Sequence, residues 1–234
     1  MSDLASGPRA VFFDAGNTLL RMDYASIARH LAERGRAVSA ERVEEAELVA
    51  RVRLDRDLAG GLSTESADTH DRYLRHVLAG LGIADEVEIA GIARWRRDFN
   101  RPVGLWYLAD PDAAAVLARV KARGLFVGVI SNSNGMVRGI MEAAGLARHL
   151  DVIIDSGAVG VEKPDPRIFH LALEAAGVPP AVAAYVGDLY SIDVVGARRA
   201  GLDAVLLDPG GHWGPRDCRV ARGLADAARM LLGE

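Results

Sequence analysis

Five short apolar runs, each ending abruptly in polar or turn-prone residues, set the limits on what this chain can become. They are Ala10–Phe13, Leu125–Ile130, Val152–Ile154, Ala181–Val186 and Ala204–Leu207. Runs this short and this continuously apolar read as strands buried on both faces. Helical patterns stand between them. Ala113, Val116, Leu117 and Val120 repeat at i, i+3, i+4 and i+7 behind Asp110-Pro111, which reads as an N-cap and a first-turn proline. Asp165-Pro166 opens another helix, with Ile168, Leu171, Ala172 and Ala175 on one face and Gly177 at its end. Strands alternating with helices predict a parallel sheet covered on both sides, the doubly wound, Rossmann-like α/β class. Ligands of such sheets bind beyond the carboxyl ends of the strands, so the residues just after each run are where chemistry is expected.

The stretch from Asp23 to Gly104 breaks this rhythm, having no comparable strand run. Val43, Ala46, Ala50 and Leu54 share a helix face behind the N-cap candidate Ser39, and Leu74, Val77, Leu78 and Leu81 share another behind Ser66. The expectation is an α/β core of residues 1–22 and 105–234 carrying an all-helical insert at 23–104. A chain of 234 residues is long enough for both. With 28 basic against 32 acidic residues the net charge is -4, which gives no general attraction to nucleic acid or to an anionic membrane. Cys218, the one cysteine, cannot form an internal disulfide, and no Cys/His cluster has zinc spacing. Met1 to Arg9 lacks the apolar stretch of a signal peptide, and no segment approaches the roughly 20 apolar residues of a membrane span; the expected location is cytoplasmic.

Four pieces line up in order at the predicted strand ends. Asp14 ends the first run in Phe13-Asp-Ala-Gly-Asn-Thr-Leu19, Ser131-Asn132 follows the second, Lys163-Pro164 precedes a helix, and Gly187-Asp188 follows Ala181–Val186, with Asp193 five residues beyond Asp188. Taken singly, each has a plain structural explanation. An acid after a strand is often a turn or cap residue, Ser131 suits a cap for the segment from Asn134, Lys163 a solvated loop, and Asp188 with Asp193 caps around Ser191. The ordered set of carboxylate, hydroxyl, lysine and acid pair has few structural reasons to occur.

In these motifs the chain resembles the haloacid dehalogenase-like hydrolase superfamily, in the branch whose helical cap is inserted between the first and second motifs. The resemblance covers nearly the whole chain. It implies that Asp14 is the nucleophile, Lys163 the lysine that neutralises charge and holds Asp14, and Thr18, Ser131 and Asn132 the substrate-binding residues. It further implies a magnesium ion held by Asp14, the Gly16 carbonyl and Asp188, with Asp193 orienting Lys163 or metal-bound water. These residue types suit phosphoryl transfer, because a carboxylate can attack an anionic phosphoryl group only when cations screen the repulsion and hold the reactants in line. The implied partner is a small molecule, a phosphate ester or acyl phosphate.

The chain departs from the family at one telling place. Family phosphatases carry a second aspartate two residues after the nucleophile, as general acid and then base; here that residue is Gly16, followed by Asn17 where the family has glycine. Positioned acid–base catalysis contributes about 10² to 10⁴-fold. Three readings follow: a magnesium-dependent phosphatase whose leaving group needs no proton or takes it from His30, His70, His76 or water; a 2-haloacid dehalogenase, which needs neither acid nor metal; and a weakly catalytic binding protein. Dehalogenases of the family have Ser where Asp188 stands and Tyr where Phe169 stands, which favours the phosphatase. Phosphonatase chemistry needs a cap lysine, and residues 23–104 contain none. Arg94, Arg96, Arg97, His70 and Tyr73 are the candidates in the insert for substrate selection.

Overall fold

The computed structural model describes residues 7–99 and 104–234, so the segment before Gly7 and residues 100–103 of the expected insert lie outside the described residues. In chain order, β1 (Ala10–Phe13) and β2 (Leu20–Met22) precede the helices α1 (Tyr24–Glu33), α2 (Ala40–Leu58), α3 (Ala67–Gly80) and α4 (Glu86–Phe99). Then follow β3 (Trp106–Ala109), α5 (Ala113–Ala122), β4 (Phe126–Ser131), α6 (Val137–Ala143), β5 (Val152–Asp155), α7 (Ser156–Val159) and α8 (Pro166–Ala176). The chain continues through β6 (Ala183–Gly187), α9 (Val195–Arg199), β7 (Asp203–Leu207), β8 (Arg219–Ala221) and α10 (Leu224–Leu232).

The apolar runs form a six-stranded sheet in the order β5-β4-β1-β6-β7-β8, with every neighbouring pair parallel. All residues of β1 and β6 are buried, as central strands covered on both faces must be. Successive side chains point to opposite faces. Val11, Phe13, Val129, Val186 and Val205 meet Leu117 of α5 and Leu231 of α10 in one apolar cluster. Phe12 and Tyr185, paired in register, point the other way, where Tyr185 meets the ring of Phe169 from α8 edge-on at 5.1 Å. Gly128, the register partner of Phe12 on β4, is small for a reason: a Cβ there would lie 2.8 Å from the Phe12 ring. The strand ends thus place Asp14, Ser131 and Asp188 on three adjacent strands, β1, β4 and β6.

Two helix readings are corrected. Asp110-Pro111 is not the cap and first turn of α5; the helix begins at Ala113 with Asp112 at its N-cap, and Asp110 closes the preceding turn by accepting from the amides of Asp112 and Ala113, both at 3.0 Å. α8 opens at Asp165-Pro166 and ends at Gly177 (φ 63°), but its buried face is Ile168, Phe169, Ala172 and Leu173, while Leu171 and Ala175 are exposed. The helix is apolar around more than half its circumference, and the space beside Tyr185 is filled by the larger Phe169.

The described chain divides into two compact units, one comprising residues through Arg21 and from Leu108 to Glu234, the other Met22–Tyr107. The second unit holds α1 to α4. Ser39 caps α2 by accepting from the Arg42 amide at 3.2 Å, and Ser66 caps α3 by accepting from the Thr69 amide at 3.1 Å. Its interior is built on a charge: fully buried Glu47 accepts from Tyr24 Oη at 2.9 Å, from Arg51 Nε at 2.9 Å and Nη2 at 2.5 Å, and from Tyr73 Oη. Among the described residues no helix is long and apolar enough to cross a membrane. Glu47→Ala leaves the Arg51 guanidinium buried without its carboxylate, and breaking such a pair costs about 3–5 kcal/mol. Urea unfolding of this variant is expected to show a loss of that size.

Candidate active site

β1 delivers Asp14 to the edge of the sheet, where its amide still donates to Val186 O at 2.8 Å along β6. The chain then turns sharply. The Ala15 carbonyl accepts from the Leu20 amide at 2.8 Å, and Asn17 takes a left-handed conformation at φ 52°. Asn and Gly are the residues that adopt this region most readily, so Asn17 replaces the family glycine at little conformational cost. Its side-chain amide donates to Asp188 Oδ2 at 3.3 Å.

Lys163 enters from the loop before α8 and is 3% exposed. Its ammonium donates to Asp14 Oδ1 at 2.6 Å, Asp193 Oδ1 at 2.7 Å and Tyr185 Oη at 2.9 Å. Burial alone would favour the neutral amine, but Asp14 and Asp193 outweigh it and raise the lysine pKa, so the group is a cation. Burial pushes the Asp14 carboxyl from an ordinary 3.8 up to about 6; Lys163 pulls it down and Asp193 adds to the rise.

Asp193 has both oxygens committed. Oδ1 accepts from Lys163 and lies 3.2 Å from Tyr185 Oη, and Oδ2 accepts from the amides of Asp188 at 3.1 Å and Leu189 at 2.9 Å. Gly187 makes room for it, since a Cβ there would sit 2.4 Å from Asp193 Cγ. Asp193 therefore orients Lys163 and the backbone around Asp188. One carboxylate oxygen from each of Asp14, Asp188 and Asp193 lies within 4.8 Å of the others. Three buried carboxylates against one ammonium leave an excess of negative charge, in an all-oxygen donor set that suits a hard divalent cation. Asp14 Oδ1 shares the Lys163 ammonium with Asp193, and Asp188 Oδ2 accepts from the Asn17 side chain.

The remaining predicted residues are placed as follows. Thr18, two per cent exposed, has a buried Oγ1 with no hydrogen-bond partner among the described residues. Ser131 is buried at the end of β4, and its hydroxyl donates to Asn132 O at 3.3 Å. The Asn132 side chain is used in a reciprocal clamp on the Lys163 backbone, donating to its carbonyl at 2.9 Å and accepting from its amide at 2.7 Å. A side chain so committed binds the second motif to the third, and leaves to the Asn132 backbone any contact with a substrate. Gly16 pairs with Leu20 in an isolated bridge.

The family model of haloacid dehalogenase-like hydrolases matches residues 8–201. The chain belongs to the haloacid dehalogenase-like hydrolase family. It is 34% identical over 179 residues to Phosphatase MT3486 of Mycobacterium tuberculosis, covering 74% of this chain and 77% of that protein. It is 41% identical over 127 residues, 54% of this chain, to the bovine haloacid dehalogenase-like hydrolase domain-containing protein 3, and spans 50% of that relative. The (S)-2-haloacid dehalogenase 4A of Burkholderia cepacia is 33% identical over 105 residues, 44% of this chain and 45% of that protein. A crystal structure titled HAD phosphatase from Thermococcus onnurineus superposes with a TM-score of 0.61 at 25% identity, covering 96% of this chain and 98% of that one. The chain spans about half the length of the first curated relatives it matches.

Two residues that build this site escaped sequence reading. Tyr185 lies inside an aliphatic run and reads as core, although a phenol in such a run needs a partner. Asp155 ends β5, and its carboxylate accepts from the amides of Gly135 at 3.0 Å, Val137 at 3.1 Å and Gly157 at 3.0 Å, fastening the loop after Ser131. Four of the candidates in the helical unit have partners within it. Tyr73 serves Glu47, Arg96 is buried and donates to Asp71 at 2.9 Å, His76 lies 3.0 Å from Asp57, and His30 stacks on Trp95 while accepting from Arg34 Nε at 2.8 Å. The hydrolase fold makes Gly187 a sharp probe. Gly187→Ala must displace Asp193 or shift the strand, at a typical overpacking cost of about 1–3 kcal/mol. We expect a lower melting temperature and a loss of turnover larger than the unfolded fraction explains.

Proposed function

We propose that this hydrolase is a magnesium-dependent phosphatase of a small phosphorylated molecule, working through a phosphorylated Asp14. The observation that carries the reading is the excess of negative charge where Asp14, Asp188 and Asp193 meet the Lys163 ammonium, with Asp188 present where a dehalogenase has serine. Similarity to a protein named phosphatase over three quarters of the chain supports it. Asp14, the Gly16 carbonyl and Asp188 are the residues that would hold the ion, which supplies charge screening for an anionic substrate. The helical insert, residues 23–104, is read as the cap that selects the substrate.

The chain's own groups then divide the work. Lys163 keeps Asp14 ionised and fixed, so that one Asp14 oxygen attacks phosphorus as the bond to the leaving oxygen breaks. Ser131, Thr18 and the Asn132 backbone amide donate to the phosphoryl oxygens as charge builds on them. Water then cleaves the acyl phosphate and restores the Asp14 carboxylate. The dehalogenase reading is the second one, favoured by Gly16 and by the Burkholderia cepacia relative; there the same Asp14 displaces halide from carbon with no cation.

An assay of phosphate release from small phosphate esters and acyl phosphates, beside halide release from 2-haloacids, separates the two. Phosphate release that needs magnesium and disappears in chelator is expected, with Asp14→Asn inactive and Asp188→Asn requiring far more magnesium. Halide release in chelator faster than any phosphate release would reverse the assignment.

Gly16 sets a second expectation. With no carboxylic acid at that position to protonate the leaving oxygen, the rate depends steeply on leaving-group pKa, and aryl or acyl phosphates outrun sugar phosphates by about 10² or more. A flat dependence under rate-limiting chemistry would show that another group donates the proton.

A further inference from the structure

The Lys163 ammonium has three protons, and the structure accounts for all of them: Asp14 Oδ1 at 2.6 Å, Asp193 Oδ1 at 2.7 Å and Tyr185 Oη at 2.9 Å. The first two acceptors are the expected acids. The third is a phenol from the middle of β6 whose ring is fully buried against Phe169. Having accepted from Lys163, the Tyr185 hydroxyl keeps one proton to give. Its nearest acceptor is Ile130 O at 2.9 Å, against 3.2 Å to Asp193 Oδ1, which already takes a proton from Lys163.

Ile130 directly precedes Ser131 on β4, while Tyr185 stands on β6, and β1 with Asp14 at its end runs between those two strands. Tyr185 pairs in register with Phe12 and Phe12 with Gly128, so the phenol lies on the sheet face shared by Gly128 and Ile130. One hydroxyl thus connects the strand that carries Ser131, the loop that carries Lys163 and the strand that leads to Asp188. We infer that Tyr185 is a positioning residue for the reaction: its hydroxyl is the third anchor of the Lys163 ammonium and sets that ammonium, and Asp14 with it, against the end of β4. The inference rests on the reading of Asp14 and Lys163 as the reacting pair.

Two consequences follow. With all its protons held, Lys163 is a fixed positive charge and does not grip the substrate itself. Loss of the Tyr185 hydroxyl frees one ammonium proton and strips the Ile130 carbonyl of its partner, while Phe keeps the ring that packs on Phe169. The effect belongs on the chemical step, because the groups that meet substrate are untouched.

Tyr185→Phe tests this with a readout that needs no substrate. Lys121 and Lys163 are the lysines of the sequence, and the Lys121 side chain is 37% exposed, so lysine-selective ¹⁵N labelling gives a protected ammonium signal from Lys163. In Y185F that signal is expected to move and its hydrogens to exchange at least about tenfold faster, while kcat falls about tenfold and KM stays within about twofold. Replacing tyrosine with 3-fluorotyrosine weakens the acceptor without removing it; a smaller change of the same sign is expected, which covers a Y185F variant that does not fold. An unchanged Lys163 signal, or a kcat preserved beside a lowered melting temperature, would overturn the inference and leave Tyr185 a packing residue. If the wild type releases neither phosphate nor halide, the proposed function fails, and the ammonium signal alone still decides whether Tyr185 anchors Lys163.

Discussion

A lysine ammonium held away from water is the interaction on which the rest of this site depends. Lys163 is 3% exposed, and an unpaired charge in such a place would neutralise or unfold its surroundings. It is tolerated because Asp14 and Asp193 lie within 2.7 Å, and those carboxylates are tolerated because the lysine is there. The cluster is a mutual arrangement, and removing any partner leaves the others as buried charges. It also does not balance, for the acids outnumber the lysine. The surplus negative charge is what a divalent cation would offset, while burial, with Asp193 adding to it, raises the Asp14 pKa.

The fold supplies the neighbours and the loops supply the fit. A parallel sheet in the order β4-β1-β6 brings Ser131, Asp14 and Asp188 to one edge, but Lys163 comes from a loop that no strand fixes. Three local devices hold it. Asn132 clamps the Lys163 backbone from the second motif, Asp193 receives its side chain from the fourth, and Gly187 yields the space in which Asp193 sits. Asp155 in turn pins the loop beyond Ser131 through three backbone amides. The Asn132 and Asp193 contacts to Lys163 join residues 31 and 30 positions apart, so this part of the site exists only in the folded chain.

That dependence explains what the amino-acid sequence reveals and what it conceals. The central strands were legible because burial on both faces demands unbroken apolar runs, and Asp14 was legible as a candidate because it interrupts such a run. β2, β3 and β8 were not. Leu20–Met22 and Arg219–Ala221 are three residues each and contain arginine, so they carry no strand-length apolar signal. The buried face of α8 was misread at Leu171 and Ala175, since periodicity cannot choose between overlapping apolar stripes on a largely apolar helix. Tyr185 was hidden for the opposite reason. Its ring satisfies the pattern of a core strand, and only the three-dimensional position of Lys163 and Ile130 shows what its hydroxyl is for.

The first loop shows how one backbone requirement and one electrostatic requirement are met together. The turn after β1 needs a left-handed residue, which Asn17 provides at φ 52°, and the asparagine amide reaches Asp188 as a donor that adds no charge. Gly16 brings neither a further carboxylate nor a carboxylic acid to this loop. Two of the histidines of the helical unit are poor replacements: Arg34 donates to His30, which fixes it as a neutral acceptor, and burial with the nearby Arg96 lowers the pKa of His70. On the proposed phosphatase reading, a site with excess negative charge, a fixed ammonium and no carboxylic acid at position 16 would stabilise attack more than departure, which would favour substrates whose leaving group carries its own stability.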